Sequence, residues 1–136
     1  MSRIFRIPPG SRLLLAFIAS GALAACGSDS LSPFQPEISN PADNFQLQAT
    51  NVSDVTTTKT YSWANSGTRA TINHSTTTTA GSTLLVIKDA AGVTVYTRAL
   101  SPSLNEPTAA GQAGTWSIQL TLTKYSGTLN VRAQKL

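Results

Sequence analysis

The feature that most restricts this chain is a hydrophobic period of two. Trp116, Ile118, Leu120 and Leu122 alternate with Ser117, Gln119 and Thr121. Successive side chains of a strand point to opposite faces, so this pattern buries one face and wets the other. Phe45, Leu47 and Ala49 alternate in the same way with Gln46, Gln48 and Thr50. A weaker set follows in Val55, Thr57, Lys59, Tyr61 and Trp63, then Ala70, Ile72 and His74, and later Leu129, Val131 and Ala133. The run Thr83-Leu84-Leu85-Val86-Ile87-Lys88 suits a central strand covered on both faces, and Val93-Thr94-Val95-Tyr96 follows it. Asn65-Ser66-Gly67, Asp89-Ala90-Ala91-Gly92 and Tyr125-Ser126-Gly127 supply turns. The pattern predicts an all-β fold over residues 45–136: a single small antiparallel β-sandwich of about seven strands, jelly-roll or immunoglobulin-like. Trp116 leads the cleanest alternation and is expected in the core. Trp63 ends a polar strand just before a turn and is expected to stay half exposed.

Composition supports strands and narrows function. Charged residues make up 12% of the chain, about half the usual share, while Thr and Ser are abundant. The net charge of +4 is misleading. Arg3, Arg6 and Arg12 lie in an N-terminal segment of a different character. Beyond it, Lys59, Arg69, Lys88, Arg98, Lys124, Arg132 and Lys135 face Asp29, Glu37, Asp43, Asp54, Asp89 and Glu106, a balance of about +1. These basic residues are scattered, so the stripe that nucleic acid requires is missing. Cys26 is the only cysteine, which excludes an intramolecular disulfide and a multi-cysteine metal site.

The N-terminal segment carries the sharpest motif. Three arginines precede the apolar run Leu13-Leu14-Leu15-Ala16-Phe17-Ile18-Ala19-Ser20-Gly21-Ala22-Leu23-Ala24-Ala25. That run has the length of a signal peptide's hydrophobic region and is too short to span a bilayer. Leu23-Ala24-Ala25-Cys26 closes it and resembles the lipobox of bacterial lipoproteins. The resemblance implies cleavage between Ala25 and Cys26, diacylglycerol in thioether linkage on Cys26, and acylation of the new α-amine. Ala22-Leu23-Ala24 is also an A-x-A site for ordinary secretion, the competing reading. Two or three acyl chains anchor stably, at ~0.8 kcal/mol per buried methylene. In Gram-negative lipoproteins an Asp after the cysteine marks inner-membrane retention; Gly27 stands there, which favours the outer membrane. The expected organisation is a signal peptide at 1–25, a lipidated cysteine and Pro/Ser-rich tether at 26–44, and the β-domain at 45–136. Phe34 and Ile38 are the tether residues expected to pack on that domain.

Three further segments resemble two extracellular β-sandwich families. They are Leu85-Val86-Ile87-Lys88-Asp89-Ala90-Ala91-Gly92, Ala113-Gly114-Thr115-Trp116-Ser117-Ile118-Gln119-Leu120 and Tyr125-Ser126-Gly127-Thr128-Leu129. They look like the bacterial pre-peptidase C-terminal domain and the P domain of subtilisin-type proteases, both non-catalytic. This chain has Thr121-Leu122 where P domains place an Asp.

Candidate chemistry is sparse. His74 is the only histidine and reads as a structural or rim residue, with no catalytic partner in its pattern. No G-x-S-x-G elbow, phosphate loop or dinucleotide fingerprint is present. Asp89 and the Asn105-Glu106 loop could offer oxygens to calcium, against ordinary turn chemistry. Trp63, Tyr61, Tyr96 and Tyr125 are the candidate binding aromatics, near predicted turns where rings could stack on sugars or anchor a protein. The expectation is a non-catalytic envelope lipoprotein that binds a protein or glycan, with no cofactor beyond its covalent lipid and no nucleic-acid partner. The alternatives are an assembly subunit of an envelope complex and, last, a hydrolase.

Overall fold

Segments that alternate, break and alternate again turn out to be single long strands. The structure is a computed structural model that describes residues 34–136. The signal peptide, Ala25, Cys26 and the first part of the tether lie outside the described residues. Six strands follow in order: β1 (Glu37–Ser39), β2 (Asn44–Asn65), β3 (Ala70–Lys88), β4 (Thr94–Arg98), β5 (Leu104–Pro107) and β6 (Gly114–Lys135). They form one antiparallel sheet in the order β1-β2-β6-β3-β4, with β5 also on β3. The all-β antiparallel fold is as expected. The strand count differs from about seven because β2, β3 and β6 each join two predicted strands, while β1 and β5 are additional.

The joins lie on one crease. The register between β2 and β6 shifts between Ala49 and Val52, Val52 and Val55, and Val55 and Thr57. That between β3 and β6 shifts between Thr78 and Ala80 and again before Ser82. Left-handed backbone concentrates there, at Asn51, Asp54, Lys124 and Gly81, with Gly127 at φ 145°. Bulges of this kind increase twist and bend a strand. Val52 and Thr78 both oppose Gly127, so the irregularities of three neighbouring strands line up.

The consequence is a sheet folded on itself. A straight strand of 22 residues would span about 70 Å. Yet the Asp43 amide, just before β2, donates to the Ala64 carbonyl near its end at 2.8 Å, and Phe45 and Tyr61 rings stand 5.7 Å apart. One layer holds β1, the first half of β2, the second half of β6, the first half of β3, and β5. The other holds the second half of β2, the first half of β6, the second half of β3, and β4. The two layers thus share strands, in place of the separate sheets of an immunoglobulin or jelly-roll sandwich.

One core fills the space between the layers. Phe45, Leu47, Ile72, Ile118, Leu120, Leu122 and Val131 are buried as their alternation requires. The run expected to be covered on both faces instead alternates, with Leu85 and Ile87 inward, Val86 half-buried and Leu84 42% exposed on the outer face. Leu100, between β4 and β5, is fully buried, held where its amide donates to Thr83 Oγ1 at 2.9 Å. Further expectations need correction. Trp63 is 1% exposed, because the register sets it opposite Trp116 on the inward face, edge to face at 5.8 Å. The fold also begins before residue 45: Phe34 is buried and Glu37–Ser39 adds a strand, so the tether does not extend to residue 44. Ile38, expected to pack, is 40% exposed on that edge strand.

Candidate functional site: a carboxamide-bearing sheet face

Residues directly opposite each other in a ladder share a face, so the register shows what each outer surface carries. On the first layer, Glu37 pairs with Gln48, Gln48 with Asn130, and Asn130 with Ser75. The next row runs Ser39, Gln46, Arg132, Asn73 and Asn105. A third runs Asn44, Gln134, Thr71 and Pro107. Their in-strand neighbours Phe45, Leu47, Ile72, Leu129, Val131 and Ala133 point into the core. The outer face therefore carries a field of carboxamides with Arg132 near its middle, and Arg132 Nη2 donates to Gln46 Oε1 at 3.5 Å. Shallow hollows lie beside β1, one of them lined by Glu37, Ile38, Ser39, Gln46 and Gln48. The outer face of the second layer is plainer, with Ser62-Ser117-Lys88 and Thr60-Gln119-Val86 rows and a Thr58–Thr121 hydroxyl contact of 3.2 Å.

Each carboxamide offers two donors and one acceptor oxygen, and each sugar hydroxyl offers a donor and an acceptor. A planar guanidinium among them can grip a carboxylate or phosphate in bidentate fashion. This arrangement was not foreseen from sequence. Its signal was present in the polar half of each alternation, but only the register gathers those residues into one surface.

The predicted aromatic site does not assemble. Trp63, Tyr96 and Tyr125 are buried, and a ring without accessible faces cannot stack on a ligand; only Tyr61 stays half-buried. The Tyr125 hydroxyl donates to the Thr128 carbonyl at 3.1 Å, beside the crease. Tyr96 belongs to a polar group at the edge strands β4 and β5, buried at Tyr96 and partly exposed at its charges. Arg98 of β4 pairs with Glu106 of β5 at 2.8 Å and lies over the Tyr96 ring at 5.8 Å. Burial, then the nearby Glu106, push the Tyr96 phenol well above its usual range. His74 is 1% exposed beneath this group. Burial lowers its pKa, opposed by the Leu100 backbone and Glu106. An imidazole so covered has no route to a substrate. Charges on edge strands also discourage edge-to-edge pairing, and here two partly exposed ones neutralise each other.

Asp89 organises a turn. Its Oδ2 accepts from the Gln112 amide at 2.8 Å, and its Oδ1 from the Ala91 and Val93 amides at 3.0 and 2.8 Å. These amides, Gln112 foremost, hold its carboxyl below the usual range against the effect of burial. Among the described residues no three His, Cys, Asp or Glu side chains gather into a metal site. The sign of the pH effect follows from the depressed folded pKa. Asp89 contributes stability above its unfolded pKa of about 3.9, and the contribution is lost as pH falls through the lower folded value. Denaturant melts at stepped pH should therefore show Asp89→Ala less stable than the parent at pH 7, with the gap closing in acid. A gap independent of pH would remove the carboxylate's role.

Cys26 and Ala25 lie outside the described residues. Neither a protein-family model, nor a curated protein, nor a solved structure matches this chain.

Proposed function

We propose that this chain is a lipid-anchored cell-envelope protein whose β-sandwich is a non-catalytic binding module for a hydroxyl-rich glycan bearing carboxylates or phosphates. The anchor rests on Arg3, Arg6 and Arg12, the apolar run 13–25 and the lipobox Leu23-Ala24-Ala25-Cys26. Gly27 after the cysteine favours the outer membrane in a Gram-negative cell. The observation that carries the binding reading is the carboxamide field around Arg132. Its row partners are Ser39, Gln46, Asn73 and Asn105, so no carboxylate in that row competes for the guanidinium.

Co-sedimentation with purified peptidoglycan, an insoluble glycan rich in carboxylates, tests it. Arg132→Ala and Asn130→Ala lie on the outer face and should fold within about 0.5 kcal/mol of the parent. Loss of a charge-assisted contact should weaken Arg132→Ala binding roughly tenfold or more. Binding unchanged by both substitutions, or absent from the parent, would remove the reading.

A second reading, an assembly subunit, is favoured by one feature. Beyond the short β1, the second half of β2 from Thr56 to Tyr61 has ladder pairing only to β6. Such an edge can accept a partner's strand. Stoichiometric co-purification of an envelope protein, lost on Thr58→Pro, would favour it over glycan binding.

A further inference from the structure

We infer that the creased end of the sandwich rests against the lipid headgroups, so that its strands stand upright and the opposite, loop-bearing end faces away from the membrane. This inference rests on the lipid-anchor reading. Phe34 is 3% exposed and therefore fixed in the core, eight residues after Cys26. That stretch reaches at most about 26–29 Å, at ~3.3–3.6 Å per residue.

The direction of β1 determines where the chain joins the fold. Glu37 opposes Gln48 and Ser39 opposes Gln46, so residues before Glu37 run antiparallel toward Ala49 and Val52, the start of the crease. Gln35 accordingly shares a hollow with Ala49 and Thr50. The loop end, marked by Asp43, Ser66 and Val93, lies about 30 Å away, the length of a nine-residue half-strand at ~3.3 Å per residue. With the loop end on the bilayer, the tether would have to retrace that length drawn out to about its full reach. With the crease on the bilayer, it has slack.

The chemistry of the crease agrees. Its exposed side chains include Asn51, Ser53, Asp54, Thr79, Ser82 and Lys124, small or polar groups with one charge of each sign, suited to a zwitterionic headgroup layer. The large exposed apolar residues Ile38, Leu84, Val93 and Leu136 lie outside the crease, so the contact is a surface contact without insertion. In this pose the carboxamide face stands perpendicular to the membrane, open to a ligand from the side.

The test uses the full-length lipoprotein extracted from membranes and placed in phosphatidylethanolamine/phosphatidylglycerol vesicles carrying headgroup spin labels. The Cys26 thiol is consumed as a thioether, so Ser53→Cys and Val93→Cys each supply a single site for a fluorophore. Ser53 is exposed at the crease, and Val93 is 59% exposed at the loop end. The expected result is several-fold stronger quenching at position 53. Equal quenching, as for a domain lying flat, or stronger quenching at position 93 overturns the orientation while the protein still floats with the vesicles. Failure to float overturns the anchor reading, and the orientation with it.

Discussion

Gly127→Ala should abolish cooperative folding or cost more than about 4 kcal/mol, the range reserved for severe backbone clashes. Gly127 sits where β2 and β3 both meet β6 at the crease, at φ 145°, and a Cβ there would lie 2.0 Å from the Thr77 carbonyl oxygen. That atom belongs to a neighbouring strand's backbone and cannot move without breaking the ladder. Gly81→Ala meets the same obstacle, with a Cβ 2.2 Å from the Lys124 carbonyl oxygen. Gly92 is the control. It also has a positive φ, of 80°, but a Cβ there meets nothing within 4 Å. Gly92→Ala should therefore cost only the left-handed backbone penalty of about 1–2 kcal/mol. Urea melts followed by far-ultraviolet circular dichroism separate the three. Comparable losses at Gly92 and Gly127 would mean that the crease is not the close approach described.

Trp63→Ala and Trp116→Ala should destabilise the domain by similar amounts, about 3–5 kcal/mol each. Such a loss is a large share of a small domain's stability of ~5–15 kcal/mol. Both indoles are at most 1% exposed, and they meet edge to face from opposed positions of β2 and β6. The Trp116 indole also donates to the Gln112 carbonyl at 2.7 Å, tying the core to the Asp89 turn. Aromatic pairs contribute about 0.5–1.5 kcal/mol beyond their burial, so the double variant should lose less than the sum of the singles. A mild effect at Trp63 beside a large one at Trp116 would restore the half-exposed Trp63 that the sequence pattern implied.

That reversal shows where sequence reading stopped. The inward sets Phe45-Leu47-Ala49, Trp116-Ile118-Leu120-Leu122 and Leu129-Val131-Ala133 were legible, because an apolar period of two leaves one solution for which face is buried. Trp63 is misplaced by the sequence pattern because the residues sharing its face of the strand include the half-buried Thr57 and the exposed Lys59. Its burial is decided by β6, some 50 residues away in the chain. The crease was hidden for a related reason. Asn51, Asp54 and Lys124 adopt positive φ without being glycine, and Gly127 reads locally as a turn between two strands. β1 and β5 are edge strands of three and four residues with no apolar period to find. The carboxamide face lay in plain sight as the polar half of each alternation, but a surface is a property of register. The proposed lipobox is a reading of linear sequence alone and lies outside the described residues.

The proposed lipid anchor underlies both the proposed cellular address and the proposed orientation of the domain, and one measurement addresses it directly. Intact mass spectrometry of the protein extracted from membranes should give residues 26–136 plus the mass of a diacylglycerol and, where the amine is acylated, a third chain. Cys26→Ser should release the protein from the membrane fraction. A mature chain beginning at Ala25 or Cys26 without lipid, or membrane retention unchanged by Cys26→Ser, would contradict the account.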